Sequence, residues 1–240
     1  MVKRYKPIIF FMLAALILLS LTACMGGQVR GNTSNNPPGS NNADSSDQEQ
    51  NSDTKDQNGK GDAPMRERNP EVTIEMSDGG KIIIELFPDD APNTVANFIS
   101  VVQSGMLDGT IFHRVSPTFM IQGGMADKSL GYTIKGEFAE NDFVNGLLHT
   151  RGTISMARTG DPNSATTQFF IMVVDYPSLD GKYAAFGRVI EGMDAVDKIA
   201  KAKHISTGID GTGQPAVDQI MERVTVDTFG EEYPEPVKVK

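Results

Sequence analysis

The amino-acid sequence predicts a mostly β-sheet domain with two helices, arranged either as an antiparallel barrel or as a sandwich. From Pro70 onward, short runs of β-forming residues recur and are separated by clusters of Gly and Pro. Only two stretches of that region carry apolar residues at helical spacing. Short, regularly spaced strands with few helices are typical of both architectures, so the pattern alone leaves the choice between them open.

The first elements of this domain are a β-hairpin and a helix. Apolar and polar residues alternate over 72–76, a turn signal covers 77–80, and a second β-rich run covers 81–86, which together predict a hairpin. Four apolar residues then follow at helical spacing and end at Gly105. An early proline and this spacing predict an amphipathic helix over 92–104.

The rest of the domain consists of short β-type runs and a second, weaker helical pattern. Met193, Val196 and Ile199 share one face of the predicted second helix. The β-type runs cover residues 111–115, 119–122, 152–157, 168–174, 185–189 and 222–227. The sequence shows no internal repeat.

The first 23 residues form a targeting segment. Three positive residues precede twelve unbroken apolar residues at 8–19, a run that suits a signal peptide and is short for a membrane span of about 20 residues. Residues 21–24, Leu-Thr-Ala-Cys, resemble the lipobox of bacterial lipoproteins, in which the signal is cut before a cysteine that receives a diacylglyceryl group. Cys24 is the one cysteine of the sequence, so an intramolecular disulfide is excluded.

The targeting segment predicts a location outside the cytoplasm. Lipidation of Cys24 would anchor the chain to the extracytoplasmic face of the cell membrane, since two acyl chains bind stably. The alternative is an uncleaved signal anchor that extends to Met25. Positive charge stays on the cytoplasmic side, so both alternatives export the rest of the chain.

A polar tether follows the lipobox. Val29 is the one large apolar residue between positions 26 and 64, and such a segment cannot bury enough apolar surface to offset its ordering entropy. We therefore expect a signal peptide at 1–23, a lipidated cysteine with a disordered tether at 24–69, and a folded domain at 70–240. The net charge is −9, and without clustered Lys or Arg the chain is not expected to bind nucleic acid.

Two segments of the domain place a few polar groups among apolar side chains. The first covers residues 112–124 and contains Arg114 and Gln122; the second covers residues 155–170 and contains Gln168. Neither segment contains a metal-ligand cluster, a nucleophile–base pair or a phosphate-binding loop. An apolar pocket with one fixed cation suits a neutral, amide-like ligand better than a charged one.

These two segments resemble the signature segments of the cyclophilins, the peptidyl-prolyl cis–trans isomerases, and the resemblance runs from about Val72 to about Val226. It implies a closed eight-stranded antiparallel β-barrel capped by two α-helices. It also implies isomerase activity without a cofactor or metal, on proline-containing stretches of unfolded or partly folded exported polypeptides. Nothing in the sequence demands more than a monomer.

The resemblance also implies roles for individual residues. Arg114 matches the arginine that donates to the substrate amide, Phe119 forms part of the proline pocket, and Gln122 orients Arg114. Arg158 either contacts acidic or polar substrates or is a solvated loop residue. The residues that match substrate-binding positions are Met120, Ala157, Arg158, Thr159, Gln168, Phe170, Leu179 and Tyr183.

Two positions depart from the eukaryotic pattern. Ser178 stands where eukaryotic members have a tryptophan, and Tyr183 stands where they have a histidine; the sequence has no Trp at all. None of the three histidines is assigned a catalytic role. The favoured function is a membrane-tethered isomerase that assists the folding of exported proteins. The alternatives are a non-catalytic, proline-peptide-binding chaperone module and a scaffold barrel with an unused groove.

Overall fold

The computed structural model describes residues 68–206 and 211–239. The predicted signal peptide, Cys24 and all but the last two residues of the predicted tether lie outside this range. Within it, no helix is both long enough and apolar enough to cross a membrane.

The described residues form a mostly β structure with two α-helices, as the sequence predicts. Both predicted helices are present, and the predicted N-terminal hairpin is formed by β1 and β2. The elements are β1 Glu71–Met76, β2 Lys81–Leu86, α1 Pro92–Gln103, β3 Arg114–Val115, β4 Met120–Gly123, β5 Thr133–Ile134, β6 Thr153–Met156, β7 Phe169–Met172, β8 Ala185–Glu191, α2 Met193–Ala200, β9 His204–Ser206, β10 Gly213–Pro215, β11 Met221–Asp227 and β12 Lys238–Val239.

Ten of these strands form one antiparallel sheet in the order β11-β1-β2-β8-β6-β7-β4-β3-β10-β9, and β12 pairs with β5 separately. The resemblance implies a closed barrel of eight strands, whereas this order runs from β11 to β9 without closing. The additional strands β9 and β10 have three residues each. They extend the β3 edge as a small hairpin that a hydrophobic pattern does not reveal.

The segment before β3 lies against the start of β11, which is one edge strand of the sheet. Ile111 and Ile220 form an isolated antiparallel bridge. The amide of Gly109 donates to the carbonyl of Met221 at 2.8 Å, and the amide of Phe112 donates to the carbonyl of Gln219 at 3.0 Å. These bonds join the segment before β3 to the start of β11 locally, without a regular ladder.

Helix α1 packs its apolar face on the core and is capped from a distant part of the chain. Phe98 contacts Phe169 edge-on, with ring centroids 5.3 Å apart, and Phe186 at 5.0 Å. The N-cap residue makes no side-chain hydrogen bond. Instead, the buried carboxylate of Glu137 accepts from the amides of Asn93 at 3.0 Å and Thr94 at 2.7 Å, which satisfies two donors at the helix start.

Candidate active site

Strand register brings three of the predicted site residues into one row. Arg114 on β3 pairs with Gln122 on β4, and Gln122 pairs with Phe170 on β7. Residues directly opposite each other on neighbouring antiparallel strands point to the same face. Two segments that are far apart in the sequence therefore present their polar and aromatic residues on one surface.

A cavity of about 420 Å³ opens on this surface. Met120 and Phe170 line it and form, with Met172, a small apolar cluster that is separate from the main core. Nine predicted site residues line the cavity: Arg114, Phe119, Met120, Gln122, Ala157, Arg158, Phe170, Leu179 and Tyr183. A pocket with an apolar floor and a few polar groups at its wall fits a neutral, partly apolar ligand.

Hydrogen bonds hold the guanidinium of Arg114 at the cavity wall. Its Nη1 donates to Gln122 Oε1 at 3.1 Å, and its Nε donates to Thr212 Oγ1 at 2.9 Å. Gln122 Nε2 in turn donates to Gln168 Oε1 at 3.0 Å. The Arg114 Cζ atom lies 5.9 Å from the centroid of the Phe119 ring. A planar cation thus stands beside an aromatic wall with its orientation fixed from two sides.

Arg158 lines the cavity and also bonds to the protein backbone. Its Nε and Nη2 donate to the carbonyl of Lys182 at 3.0 and 2.8 Å, and its Nη1 donates to the carbonyl of Thr159 at 3.0 Å. Its Cζ lies 4.6 Å from the centroid of the Tyr183 ring. Arg158 therefore joins the segment after β6 to the loop that carries Tyr183.

Two predicted binding residues do not line the cavity. Gln168 instead bonds to two residues that line it, because its Oε1 accepts from Gln122 and its carbonyl accepts from the amide of Ala157. Thr159 is exposed, and its amide and hydroxyl both bond to Ser164 Oγ, at 2.9 and 2.8 Å. Thr159 thus shapes the turn at residues 159–164.

Comparison with known proteins identifies this arrangement. The family model of cyclophilin-type peptidyl-prolyl cis–trans isomerases matches residues 71–226. The chain belongs to the cyclophilin family. It is 46% identical over 157 residues to peptidyl-prolyl cis-trans isomerase B of Escherichia coli (strain K12), a match that covers 61% of this chain and 94% of the relative. The family match and the names of the relatives confirm the isomerase activity that the sequence predicts.

Further relatives support the same assignment. A peptidyl-prolyl cis-trans isomerase of Acinetobacter baylyi is 45% identical over 152 residues, covering 61% of this chain and 79% of the relative. The crystal structure of a Cryptosporidium parvum cyclophilin in the presence of the dipeptide Ala-Pro has a TM-score of 0.57 and 27% identity, covering 65% of this chain and 98% of that one. The described fold is therefore cyclophilin-like.

His149 supports the aromatic wall of the cyclophilin groove from below. Its ring stacks beneath Phe170 at 6.0 Å and 16°, and Phe170 meets Tyr183 edge-on at 5.6 Å. His149 Nδ1 lies 3.0 Å from Asp180 Oδ1, and His149 Nε2 lies 3.1 Å from Ser155 Oγ. A carboxylate only accepts, so Nδ1–H donates to Asp180 and the Ser155 hydroxyl donates to Nε2. Burial lowers the pKa of His149, and the bond to Asp180 opposes this only in part.

Asp180, His149 and Ser155 have the hydrogen-bond order of a hydrolase triad, but their position excludes that chemistry. Ser155 has 0% exposure and does not line the cavity. A nucleophile must reach its substrate. Their hydrogen bonds instead hold the His149 ring in place against Phe170, which lines the groove.

A second cavity lies outside the groove. It measures about 670 Å³, includes His113 and shares no lining residue with the groove. Among the described residues, no group of three or more His, Cys, Asp or Glu side chains could hold a metal ion. The polar network around Arg114 lines the groove and not this second cavity.

Proposed function

We propose that this cyclophilin is anchored to the outer face of the cytoplasmic membrane through a lipid on Cys24 and isomerises X–Pro bonds in exported polypeptides during their folding. The lipobox-like residues 21–24 and the preceding positive and apolar segments support the location. The polar stretch from 26 to 64 would let the domain reach chains that emerge near the membrane.

The Arg114 guanidinium at the cavity wall is the observation that carries the mechanism. An X–Pro amide resists rotation by about 18–20 kcal/mol because the nitrogen lone pair is delocalised into the carbonyl. Rotation returns that lone pair to nitrogen. A donor held beside the prolyl nitrogen binds the twisted amide more strongly than the planar one, and each 1.36 kcal/mol of this difference accelerates rotation about tenfold.

The remaining groove residues supply binding and rigidity. Phe119, Met120 and Phe170 offer an apolar wall and floor for the proline ring. Gln122 and Thr212 hold Arg114 before the substrate arrives. A preorganised donor stabilises a transition state without the cost of reorganising at the moment of reaction. No covalent bond changes, so the mechanism needs no nucleophile.

Processing of the precursor tests the membrane anchor. In a bacterial host, the unmodified chain should incorporate labelled fatty acid, fractionate with the membrane and be open to protease added outside spheroplasts. Cys24→Ala should lose the label and normal processing, because it lacks the thiol that accepts the lipid. Acylation and normal processing of Cys24→Ala would contradict the lipobox assignment.

The folding of an exported reporter protein with a native cis-proline tests the cellular role. Cells that make the unmodified chain should fold the reporter faster than cells that make Arg114→Ala at the same level. Equal rates would contradict assistance by isomerisation and favour a non-catalytic, proline-binding chaperone module.

We further propose that the sheet closes into a barrel through the contacts between residues 109–112 and 219–221. The hydrogen bonds of Gly109, Phe112 and Met221 across this seam support closure. Hydrogen exchange tests it: the amides of Gly109 and Phe112 should exchange as slowly as those in the β1–β2 ladder. Exchange at the rate of an exposed loop would contradict a closed barrel.

A further inference from the structure

Tyr176 places an aromatic ring on the rim of the groove. Its ring centroid lies 4.5 Å from that of Phe119, with an angle of 48° between the ring planes. Phe119 lines the cavity, whereas Tyr176 is 37% exposed and lies beyond it. The two rings therefore form a continuous apolar surface that runs from the cavity to its outer edge.

The backbone around Tyr176 is held in place. Its amide donates to the carbonyl of His149 at 2.8 Å, and its carbonyl accepts from the amide of Leu179 at 3.1 Å. The preceding residue, Asp175, accepts from the amide of Arg151 at 2.7 Å. A ring on an anchored backbone presents a surface whose position is set before a ligand binds, which lowers the entropic cost of binding.

Tyr176 also supplies an aromatic ring near a position where the sequence lacks one. Ser178 is exposed and too short to form a wall. Tyr176 lies two residues earlier and packs its ring on Phe119. A tyrosine at such a site offers a large apolar face and a polar hydroxyl that stays in water.

The register of β7 places Tyr176 at one end of the groove. At the start of β7, the amide of Ala157 donates to the carbonyl of Gln168 at 3.0 Å; just past its end, the amide of Val173 donates to the carbonyl of Phe119 at 2.9 Å. Ala157 and Phe119 therefore lie at opposite ends of the strand. A polypeptide that crosses the groove with its proline between them places one neighbouring residue near Ala157 and the other near Tyr176.

We propose that Tyr176 and Phe119 form an aromatic subsite for the residue that follows the proline, and that it selects substrates with a large apolar or aromatic side chain there. This rests on the proposed use of the groove for X–Pro segments and on the resemblance to cyclophilins, in which residues 157–159 match the segment that binds the residues before the proline. A flat apolar side chain gains contact with the exposed Tyr176 face, whereas glycine gains none.

Steady-state kinetics with short peptides test this subsite. The full-length protein in detergent is assayed by NMR exchange on Ala-Ala-Pro-Phe, Ala-Ala-Pro-Gly and Ala-Phe-Pro-Gly amides. Tyr176→Ala should raise KM for Ala-Ala-Pro-Phe by roughly three- to tenfold, the range expected for one lost aromatic contact. The KM values for the two glycine-ended peptides should change by less than twofold. Tyr176→Phe keeps the ring and should retain most of the preference.

The control is Val237→Ala, which removes an apolar side chain that is 73% exposed and lies outside the groove lining. It should match the unmodified protein on all three peptides. An equal rise of KM on all peptides in Tyr176→Ala, no rise at all, or a rise confined to Ala-Phe-Pro-Gly would overturn the proposal. Turnover of Ala-Ala-Pro-Gly by the unmodified protein reports on the groove itself, so failure of the subsite and failure of the isomerase remain distinguishable.

Discussion

The side chains of Arg114 and Gln122 are joined by a 3.1 Å hydrogen bond and also face each other across β3 and β4. Strand pairing fixes the distance between the two backbones, and the side-chain bond fixes the plane of the guanidinium. Gln122 bonds onward to Gln168 at 3.0 Å. The orientation of the cation is thus set by the sheet itself.

Replacing Gln122 with methionine should misorient Arg114. The variant keeps a similar volume but loses the acceptor for Nη1, and a hydrogen bond to a charged group contributes about 1.5–3 kcal/mol. We expect kcat to fall by roughly ten- to a hundredfold in peptide exchange measured by NMR. Gln214→Met, at an exposed glutamine of β10, is the matched control and should leave kcat unchanged. A normal kcat in folded Gln122→Met would contradict an orienting role.

Thr212 is predicted to position Arg114 from the opposite side. Its hydroxyl accepts from Arg114 Nε at 2.9 Å, and the residue is 3% exposed. Thr212→Val has the same shape without the acceptor, so kcat should fall about tenfold while peptide affinity stays within about twofold. Thr212→Ser should restore most of kcat. If Thr212→Ser were as slow as Thr212→Val, the methyl group rather than the hydroxyl would be responsible.

Arg158 is predicted to hold the wall of the groove through its bonds to Lys182 and Thr159. Arg158→Leu loses all three donors, so the amides from Leu179 to Tyr183 should exchange with deuterium faster. The wall would then be less ordered, and KM should rise severalfold with a smaller change in kcat. Lys198→Leu removes an exposed cation on α2 and serves as the control. Unchanged exchange in the 179–183 loop of Arg158→Leu would show that these bonds do not order it.

Stability should depend on pH through the buried histidines. Burial lowers the pKa of His149 and of His113 below the ordinary value of 6.5, so each stays neutral to a lower pH in the folded protein than in the unfolded chain. Below about pH 6.5 the unfolded chain binds protons that the folded chain does not. The two histidines therefore make their whole contribution to stability above that pH. The free energy of unfolding falls as the pH drops toward their folded pKa values.

Urea unfolding at pH 7.5 and pH 5.5 measures this effect. Asp78 and Asp197 have pKa values held below 3.8 by Lys198 and Arg151, so they do not titrate in this range. The unmodified protein should be less stable at pH 5.5, and His149→Gln should show a smaller difference between the two pH values. A stability that rises on acidification would refute the assignment.

The sequence predicts the parts of this fold whose hydrophobic pattern is local. The hairpin of β1 and β2 and both helices follow from alternation or helical spacing. Of the nine predicted residues that line the cavity, seven lie on or beside β3, β4, β6 and β7, whereas Leu179 and Tyr183 lie in the loop before β8. Closure of a barrel does not follow from a local pattern, because it depends on the register of irregular segments such as 109–112.

What the sequence misses depends on partners that are distant along the chain. Thr212 lies 98 residues from Arg114. It is flanked by two glycines, and such a context predicts a loop. Glu137 caps α1 across more than forty residues, and no local motif marks it. No motif in the sequence marks Tyr176, and only its packing on Phe119 places it beside the groove. Such contacts are set by tertiary packing, which overrides local preference.

The central claim is that Arg114 acts on the twisted amide. Arg114→Ala should lower the cis–trans exchange rate of a bound X–Pro peptide by about a hundred- to a thousandfold, the usual effect of losing one preorganised donor. Peptide affinity should change little. Arg114→Lys should rescue poorly, because an ammonium group does not reproduce the planar fork of donors. Phe119→Ala should instead weaken affinity as well as rate, since the proline ring loses its wall.

NMR line-shape analysis of a single X–Pro peptide with unmodified and Arg114→Ala protein is the most direct measurement, because it gives the dissociation constant and the exchange rate in one titration. Circular dichroism confirms that the variant is folded. The account predicts a rate lower by two orders of magnitude or more at nearly constant affinity. Near-normal exchange in folded Arg114→Ala, or a loss explained entirely by weaker binding, would contradict it.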